Sequence, residues 1–163
     1  HFRLVLEAGS LFEEEGKQGL TSLVATLLTK DTEKRTRAEV ASAIESVGGS
    51  YYEFSGNNSL GLALEVMPSD IDLALDVLEQ SVLHPKFDPE TFALEKDAHL
   101  AGIKEQLDDV VAVGRRLLRK KFFGEHPFRV GGSGSLETVE SLEIADLAAF
   151  WKRICVSENV SLA

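Results

Sequence analysis

The chain has 163 residues, which suits a single domain of ordinary size, and its 44% of apolar residues excludes a disordered chain. The 27 acidic residues outnumber the 17 basic ones and give a net charge of −10, so nucleic acid and anionic membrane surfaces are disfavoured as partners. No apolar run reaches the ~18 residues of a membrane span, so we expect no direct membrane insertion. One cysteine, Cys155, excludes an internal disulfide and is expected to be a buried structural thiol. The compartment, periplasm or cytoplasm, stays open.

The first third of the chain predicts one strand and two helices. Apolar and polar residues alternate over Phe2–Ala8, which indicates a half-buried strand. Apolar residues then recur at helical spacing over Gly19–Thr29 and over Ala38–Val47, and Gly48-Gly49 ends the second helix. The acidic run Glu13–Glu15 between strand and helix is expected to be a solvated turn.

A hairpin and a third helix follow. Two short runs with strand character, Tyr51–Phe54 and Leu60–Val66, are separated by Gly56-Asn57-Asn58, which supplies turn chemistry. Ser69, followed three residues later by Asp72, resembles a capping box and predicts the start of a helix that closes at His84-Pro85. Consecutive strands joined by a short turn favour an antiparallel sheet.

The second half of the chain is mostly helical. Asp88 as a cap, with Pro89 at the first helical position, predicts a long helix towards Phe123 with a break near Asp108-Asp109. The remaining segments are a loop over Gly124–Gly134, a helix over Glu143–Ile154 and an extended run over Asn159–Ala163. The whole predicts an α+β fold in which helices cover an antiparallel sheet. We expect residues 1–163 to form a single, incomplete domain that continues beyond Ala163 with a further strand.

Short motifs stand in order along essentially the whole chain. They are Glu7-Ala8-Gly9-Ser10 with Gly19-Leu20-Thr21; Thr32, Arg35-Thr36 and Glu39; Ile44-Glu45 with Gly48-Gly49; Pro85-Lys86-Phe87; Gly124-Glu125-His126-Pro127-Phe128 with Gly134-Ser135-Leu136-Glu137-Thr138; and Asp146-Leu147 with Phe150. Each is weak alone, but together and in this order they resemble the M16 metallopeptidases (the pitrilysin, insulinase and mitochondrial processing peptidase family). The resemblance implies a LuxS/MPP-like metallohydrolase fold.

Active members of that family carry His-x-x-Glu-His on the first helix, where two histidines bind zinc and the glutamate activates water, and a glutamate on the long helix is the third ligand. The resemblance places Ser22 and Thr26 at the histidine positions and Ala25 at that of the base. By family spacing the third ligand falls at Ile103, with Glu105 as the carboxylate close by. Hydroxyls are poor zinc ligands and aliphatic side chains cannot ligate. The resemblance therefore implies no metal, no cofactor and no catalysis by this chain alone.

Three functional hypotheses are open, and the first two are implied by the resemblance. In the first, the chain is a non-catalytic half that pairs with a second M16 domain or subunit carrying His-x-x-Glu-His, and the two enclose an unfolded peptide substrate. The strand residues Tyr51, Tyr52 and Phe54 are candidate wall residues, with core packing as the alternative. In the second, the domain is a structural scaffold, like the core subunits of the respiratory bc1 complex. In the third, it is a hydrolase with different ligands; the sequence offers no replacement ligand set, and stoichiometric zinc that is lost on changing His99 or His126 would support this alternative.

The other candidate groups have structural explanations. His126 is expected to make a structural hydrogen bond, and His99 to lie on the surface of the long helix. The basic run Arg115–Lys121 is either a solvated helix end that complements the helix dipole or a docking patch for an acidic partner segment. The glycine-rich stretch Gly131–Gly134 lacks the Lys-Ser/Thr of a phosphate-binding loop.

Overall fold

A computed structural model describes residues 1–163, which form four strands and seven α-helices. The strands are β1 (Phe2–Glu7), β2 (Ser50–Ser55), β3 (Ser59–Glu65) and β4 (Val160–Leu162). The helices are α1 (Leu20–Leu28), α2 (Arg37–Ser46), α3 (Ile71–Leu83), α4 (Pro89–Asp108), α5 (Val110–Phe123), α6 (Leu136–Glu140) and α7 (Ile144–Ile154). None of the helices combines the length and apolar character needed to cross a membrane.

The four strands form one antiparallel sheet in the order β2-β3-β1-β4. The predicted hairpin is β2–β3, and β1 lies beside β3 with Leu4 opposite Leu62. The predicted α+β fold with an antiparallel sheet is therefore confirmed. Because β1 and β3 occupy the centre, β2 and β4 are the two edge strands, and β2 is the edge nearer α1.

One hydrophobic core joins the sheet to the helices. Its 26 buried residues include Leu4, Leu62 and Leu64 of the central strands. Seven of the nine residues of α1 are buried, because this helix packs against β2, α4 and α7. Trp151 of α7, 6% exposed, donates from Nε1 to the main-chain oxygen of Val82 at 3.1 Å, so the last long helix is tied to the end of α3.

The predicted break in the long helix is confirmed, and it marks the start of α5. Asp109 has an extended backbone, and its side chain accepts a hydrogen bond from the amide of Val111 at 2.8 Å. The carboxylate thus satisfies an amide that has no partner within the helix, which stabilises a new helix start.

Three differences from the predicted helices have a local cause in the capping residues. Helix α2 begins one residue earlier, because Thr36 and Glu39 form a reciprocal capping box. The cap predicted at Ser69 is wrong: the Ser69 hydroxyl donates to the Asp70 carboxylate, and a short 3₁₀ turn precedes α3. Helix α6 was not predicted; the pairing of Ser135 with Thr138 caps it.

Cys155 lies just after α7 and is only partly buried, so the prediction of a fully buried thiol is wrong. Its sulfur lies 3.8 Å from the main-chain oxygen of Val82. Burial raises the pKa of the thiol above its ordinary value, which keeps it in the unreactive, protonated form.

Candidate functional site

The four positions singled out in the sequence lie on two helices that pack together, Ser22, Ala25 and Thr26 on α1 and Ile103 on α4, and α1 also packs against β2. Ser22, Ala25 and Thr26 share one side of α1 because residues three and four apart on a helix are neighbours. Ala25 is 1% exposed, and Ile103 of α4 is 4% exposed. Both belong to the same hydrophobic core cluster. Two of the four positions are therefore occupied by packed aliphatic groups.

Ser22 holds the glycine-rich segment against α1. Its hydroxyl donates to the main-chain oxygen of Gly132 at 3.0 Å and lies 3.4 Å from the hydroxyl of Ser55 on β2. A polar cavity of about 290 Å³ opens at this point, and no apolar side chain lines it. The Ser22 hydroxyl is thus engaged with main chain and a second hydroxyl.

Thr26, one turn further along α1, is bound to the same strand. Its hydroxyl donates to Oε1 of Glu53 at 3.3 Å, and the Tyr51 hydroxyl donates to the main-chain oxygen of Leu28 at 3.4 Å. Alternate residues of a strand share one face, so Tyr51, Glu53 and Ser55 all point towards α1. Burial raises the pKa of Tyr51, so this hydroxyl stays protonated and remains a donor.

The other two aromatic residues of β2 lie on the opposite face. Tyr52 is 44% exposed, and the ring of Phe54 lies 4.4 Å from the guanidinium carbon of Arg3. The three aromatic residues predicted together therefore fall on two faces of the sheet. Tyr51 packs inward, and of the other two Tyr52 is the one that presents a large accessible ring.

The amino-terminal end of α1 is closed by Glu13, a residue that the sequence placed in a solvated turn. Its two carboxylate oxygens accept hydrogen bonds from the amides of Gly19 at 3.2 Å and Thr21 at 2.8 Å. Burial raises the pKa of Glu13, although these backbone bonds and the nearby His99 act in the opposite direction. Glu13 therefore replaces the side-chain cap that Gly19 cannot supply.

His99 is partly buried and holds the glycine-rich segment from the other side, so its prediction as a surface residue is wrong. Its Nε2 lies 2.8 Å from the main-chain oxygen of Ser133 and donates to it. Thr138 of α6 donates to the main-chain oxygen of Gln18 at 2.8 Å. His126 accepts at Nδ1 from the amide of Phe128 at 3.2 Å, which is the expected structural hydrogen bond.

The comparisons with known proteins identify the family. The insulinase family (peptidase family M16) matches residues 1–129. The chain belongs to peptidase family M16. This M16 chain is 28% identical over 155 residues to an uncharacterized zinc protease of Mycobacterium leprae, an alignment that covers 95% of the chain and 35% of that protein. It is also 28% identical over 109 residues to a probable mitochondrial-processing peptidase subunit beta of Arabidopsis thaliana, covering 65% of the chain and 20% of the relative.

Solved structures share the fold of this M16 chain. A peptidase M16 inactive domain from Pseudomonas fluorescens superposes with a TM-score of 0.92 at 22% identity, over 99% of this chain and 40% of that one. A protease from Helicobacter pylori gives 0.92 at 14% identity, over 99% and 39%. The chain thus spans little more than a third of the length of the first curated relatives and of these two structures.

The residues at the expected ligand positions of this M16 chain do not fit a zinc ion. Ser22 and Thr26 are hydroxyls already used as hydrogen-bond donors, and Ile103 is aliphatic, as is Ala25 at the position of the base. Glu105 is exposed, whereas Ile103, two residues earlier on α4, is buried, so Glu105 does not replace it. No group of three or more His, Cys, Asp or Glu side chains has an arrangement suited to a metal. No step of a zinc-dependent reaction is therefore assigned to these residues.

Proposed function

We propose that this chain is a non-catalytic M16 domain that pairs with a zinc-bearing half and helps to enclose an unfolded peptide, which the partner cleaves. The observation that supports this most is the contact of α1 with α4 and β2. Where active relatives need imidazoles and a carboxylate, this contact holds Ser22, Ala25, Thr26 and Ile103. The two hydroxyls bind Gly132 and Glu53, and the two aliphatic side chains are packed in the core.

The burial of Ala25 and Ile103 has an energetic reason in this proposal. An acidic side chain left at either position without a metal would be buried and unpaired, at a cost of several kcal/mol. Alanine and isoleucine remove that cost and add to the packing of α1 against α4. The domain would thereby keep its fold, and the partner would cleave the peptide.

Strand β2 supports a role in peptide handling. It lies at the edge of the sheet and pairs only with β3, so its outer main-chain groups are free to pair with an extended peptide. The chain covers about a third of its first relatives, which leaves room for a second half on the same polypeptide or on another.

The test is reconstitution. The purified chain would be mixed with an M16 protein or domain from the same genome that carries His-x-x-Glu-His, and complex formation and cleavage of an unfolded reporter peptide would be followed. We expect no cleavage by the chain alone, and chelator-sensitive cleavage by the complex that exceeds that of the partner alone. A partner in which glutamine replaces the motif glutamate is the control, and its complex should form without cleaving.

Two results would contradict the proposal. Chelator-sensitive cleavage by the isolated chain would show that it is a hydrolase, and stoichiometric zinc lost in the variants His99→Gln or His126→Gln would locate the ligands. A stable complex in which the partner's activity is the same with and without this chain would indicate the scaffold function instead.

A further inference from the structure

A large cleft lies beside the α1–α4 contact and is lined on one side by α5. Its volume is about 990 Å³, and its walls are α5, the end of α4, the glycine-rich segment Gly131–Gly134 and the start of α6. Ile103 and Ser133 both line it, so the cleft borders the position expected for the third zinc ligand and the segment held by His99.

Basic side chains dominate the helix wall of this cleft. Arg115, Arg116, Arg119 and Lys120 line it from α5, and Arg129 lines it from the loop that follows. Helix α5 carries five of the chain's 17 basic residues and none of its 27 acidic ones. The acidic residues on the lining are Glu15 and Glu137.

Four of the five cleft cations have no ion-pair partner. Only Arg129 is paired, to Glu125 at 2.9 Å, and that carboxylate is 94% exposed. The salt bridges elsewhere in the chain involve none of the α5 residues. A Cβ added at Gly131 would lie 3.5 Å from Nη1 of Arg119, so this guanidinium reaches across to the glycine-rich segment. The cations therefore face the same cleft, and four of them have no acidic side chain of the chain as an ion-pair partner.

Helix α5 is oriented unlike an ordinary surface helix. It has no buried residue, and its apolar side chains Val111, Leu118 and Phe122 are 60%, 68% and 78% exposed. A solvated helix end explains Lys120 and Lys121 in the last turn, where cations complement the helix dipole. It does not explain Arg115 and Arg116, which lie about one turn earlier and line the cleft, because the dipole effect is confined to the last turn.

We propose that this cleft binds an acidic segment of an extended polypeptide. Arg115 and Arg119 are four residues apart on the helix, as are Arg116 and Lys120, and each pair is separated by about 6 Å along the axis. Alternate side chains of an extended peptide are about 6.6 Å apart on one face. Carboxylates at alternate positions of a peptide lying along α5 would therefore meet successive cations, and arginine binds a carboxylate with two parallel hydrogen bonds.

Nucleic acid is a poorer occupant. Outside α5 the chain is more acidic than its net charge of −10 indicates, because five of its 17 basic residues lie on this helix, and four of those five line the cleft. A short acidic segment touches only that cleft, whereas a longer polyanion would extend over acidic surface. This inference deepens the proposed function, since it names the chemistry of the peptide, but it concerns binding and can be tested without the partner.

The experiment measures fluorescence anisotropy of labelled ten-residue peptides with the purified chain. A peptide of alternating Glu and Ala should bind, more weakly at about 300 mM than at about 50 mM NaCl because exposed charges are screened, and a Lys-Ala peptide should not. The variant Arg115→Gln/Arg119→Gln should bind the acidic peptide roughly ten-fold or more weakly. The control Arg37→Gln/Lys152→Gln removes two exposed cations outside the cleft and should leave binding unchanged.

A charge reversal separates loss of binding from loss of fold. The variant Arg115→Glu/Arg119→Glu should reject the acidic peptide and favour the Lys-Ala peptide, with an unchanged circular dichroism spectrum because both side chains are exposed. Equal losses in the cleft and control variants, no binding of the acidic peptide at low salt, or tighter binding of a single-stranded oligonucleotide would each overturn the inference. None of these results depends on whether the chain pairs with a zinc-bearing half, which the reconstitution measures separately.

Discussion

The substitution Ala25→Glu tests whether the position of the family's catalytic base has become part of the core. Ala25 is 1% exposed and lies in the 26-residue hydrophobic cluster. A carboxylate there would be buried without a cation or a metal, and an uncompensated buried charge costs about 3–5 kcal/mol. We therefore expect the free energy of unfolding to fall by about 3 kcal/mol or more at neutral pH, which corresponds to a fall in Tm of roughly 6–12 °C for a domain of this size.

The assay is urea unfolding followed by the fluorescence of Trp151, the only tryptophan, which is 6% exposed in the folded chain. Ala25→Gln has the same size without the charge, so its difference from Ala25→Glu isolates the charge contribution. Ala38→Glu places the same side chain on the exposed first turn of α2, where an acidic residue is tolerated, and should change stability by no more than about 0.5 kcal/mol. If Ala25→Glu were as stable as Ala38→Glu, the position would admit water or a cation and would not be a closed core site.

Two further predictions concern the segments around α1. Because burial raises the pKa of Glu13, the stability contribution of its protonated form is present below the unfolded pKa and is lost as pH rises through the folded pKa. The free energy of unfolding of Glu13→Gln, taken relative to that of the parent chain, should therefore increase between about pH 4 and pH 7. Urea unfolding at both pH values measures this difference, and a difference that is the same at both would refute the reasoning. Gly134 has a φ of +75°, and an added Cβ would press on the main chain of Gln18, so Gly134→Ala should lose about 1–3 kcal/mol of unfolding free energy. Gly132→Ala, whose Cβ would meet open space, should be nearly neutral, and equal losses in the two variants would refute the role of φ.

The elements that the sequence predicted are those whose signals are local. The β2–β3 hairpin follows from Gly56-Asn57-Asn58 between two short apolar runs, and the break before α5 follows from Asp109, whose side chain caps the helix that it begins. In both cases the residues that decide the structure lie within a few positions of the element. The start of α2 had such a signal too, since Thr36 and Glu39 have capping-box spacing.

The parts of the site that the sequence did not predict depend on distant contacts. Ser22 meets Gly132 across 110 residues, and His99 meets Ser133 across 34. Nothing in the periodicity of α1 or α4 specifies such partners, because loop segments reach them only through the packing of other elements. Glu13 could not be predicted as a helix cap either, although its partners are close in sequence. It accepts hydrogen bonds from the amides of Gly19 and Thr21, six and eight residues later, and this spacing is outside any capping pattern.

The way in which Ser22 and Thr26 are bound explains how a family fold can persist without the family's metal. Zinc would hold a helix and its neighbours together through its ligands, so its loss removes a cross-link. Here Ser22 links α1 to the glycine-rich segment and Thr26 links it to β2, while Ala25 and Ile103 join the hydrophobic core. Hydrogen bonds and apolar packing thus take over the connections a metal would make. Ile103 also lines the cleft that carries the unpaired arginines of α5, so the peptide-binding surface proposed above borders this packed contact.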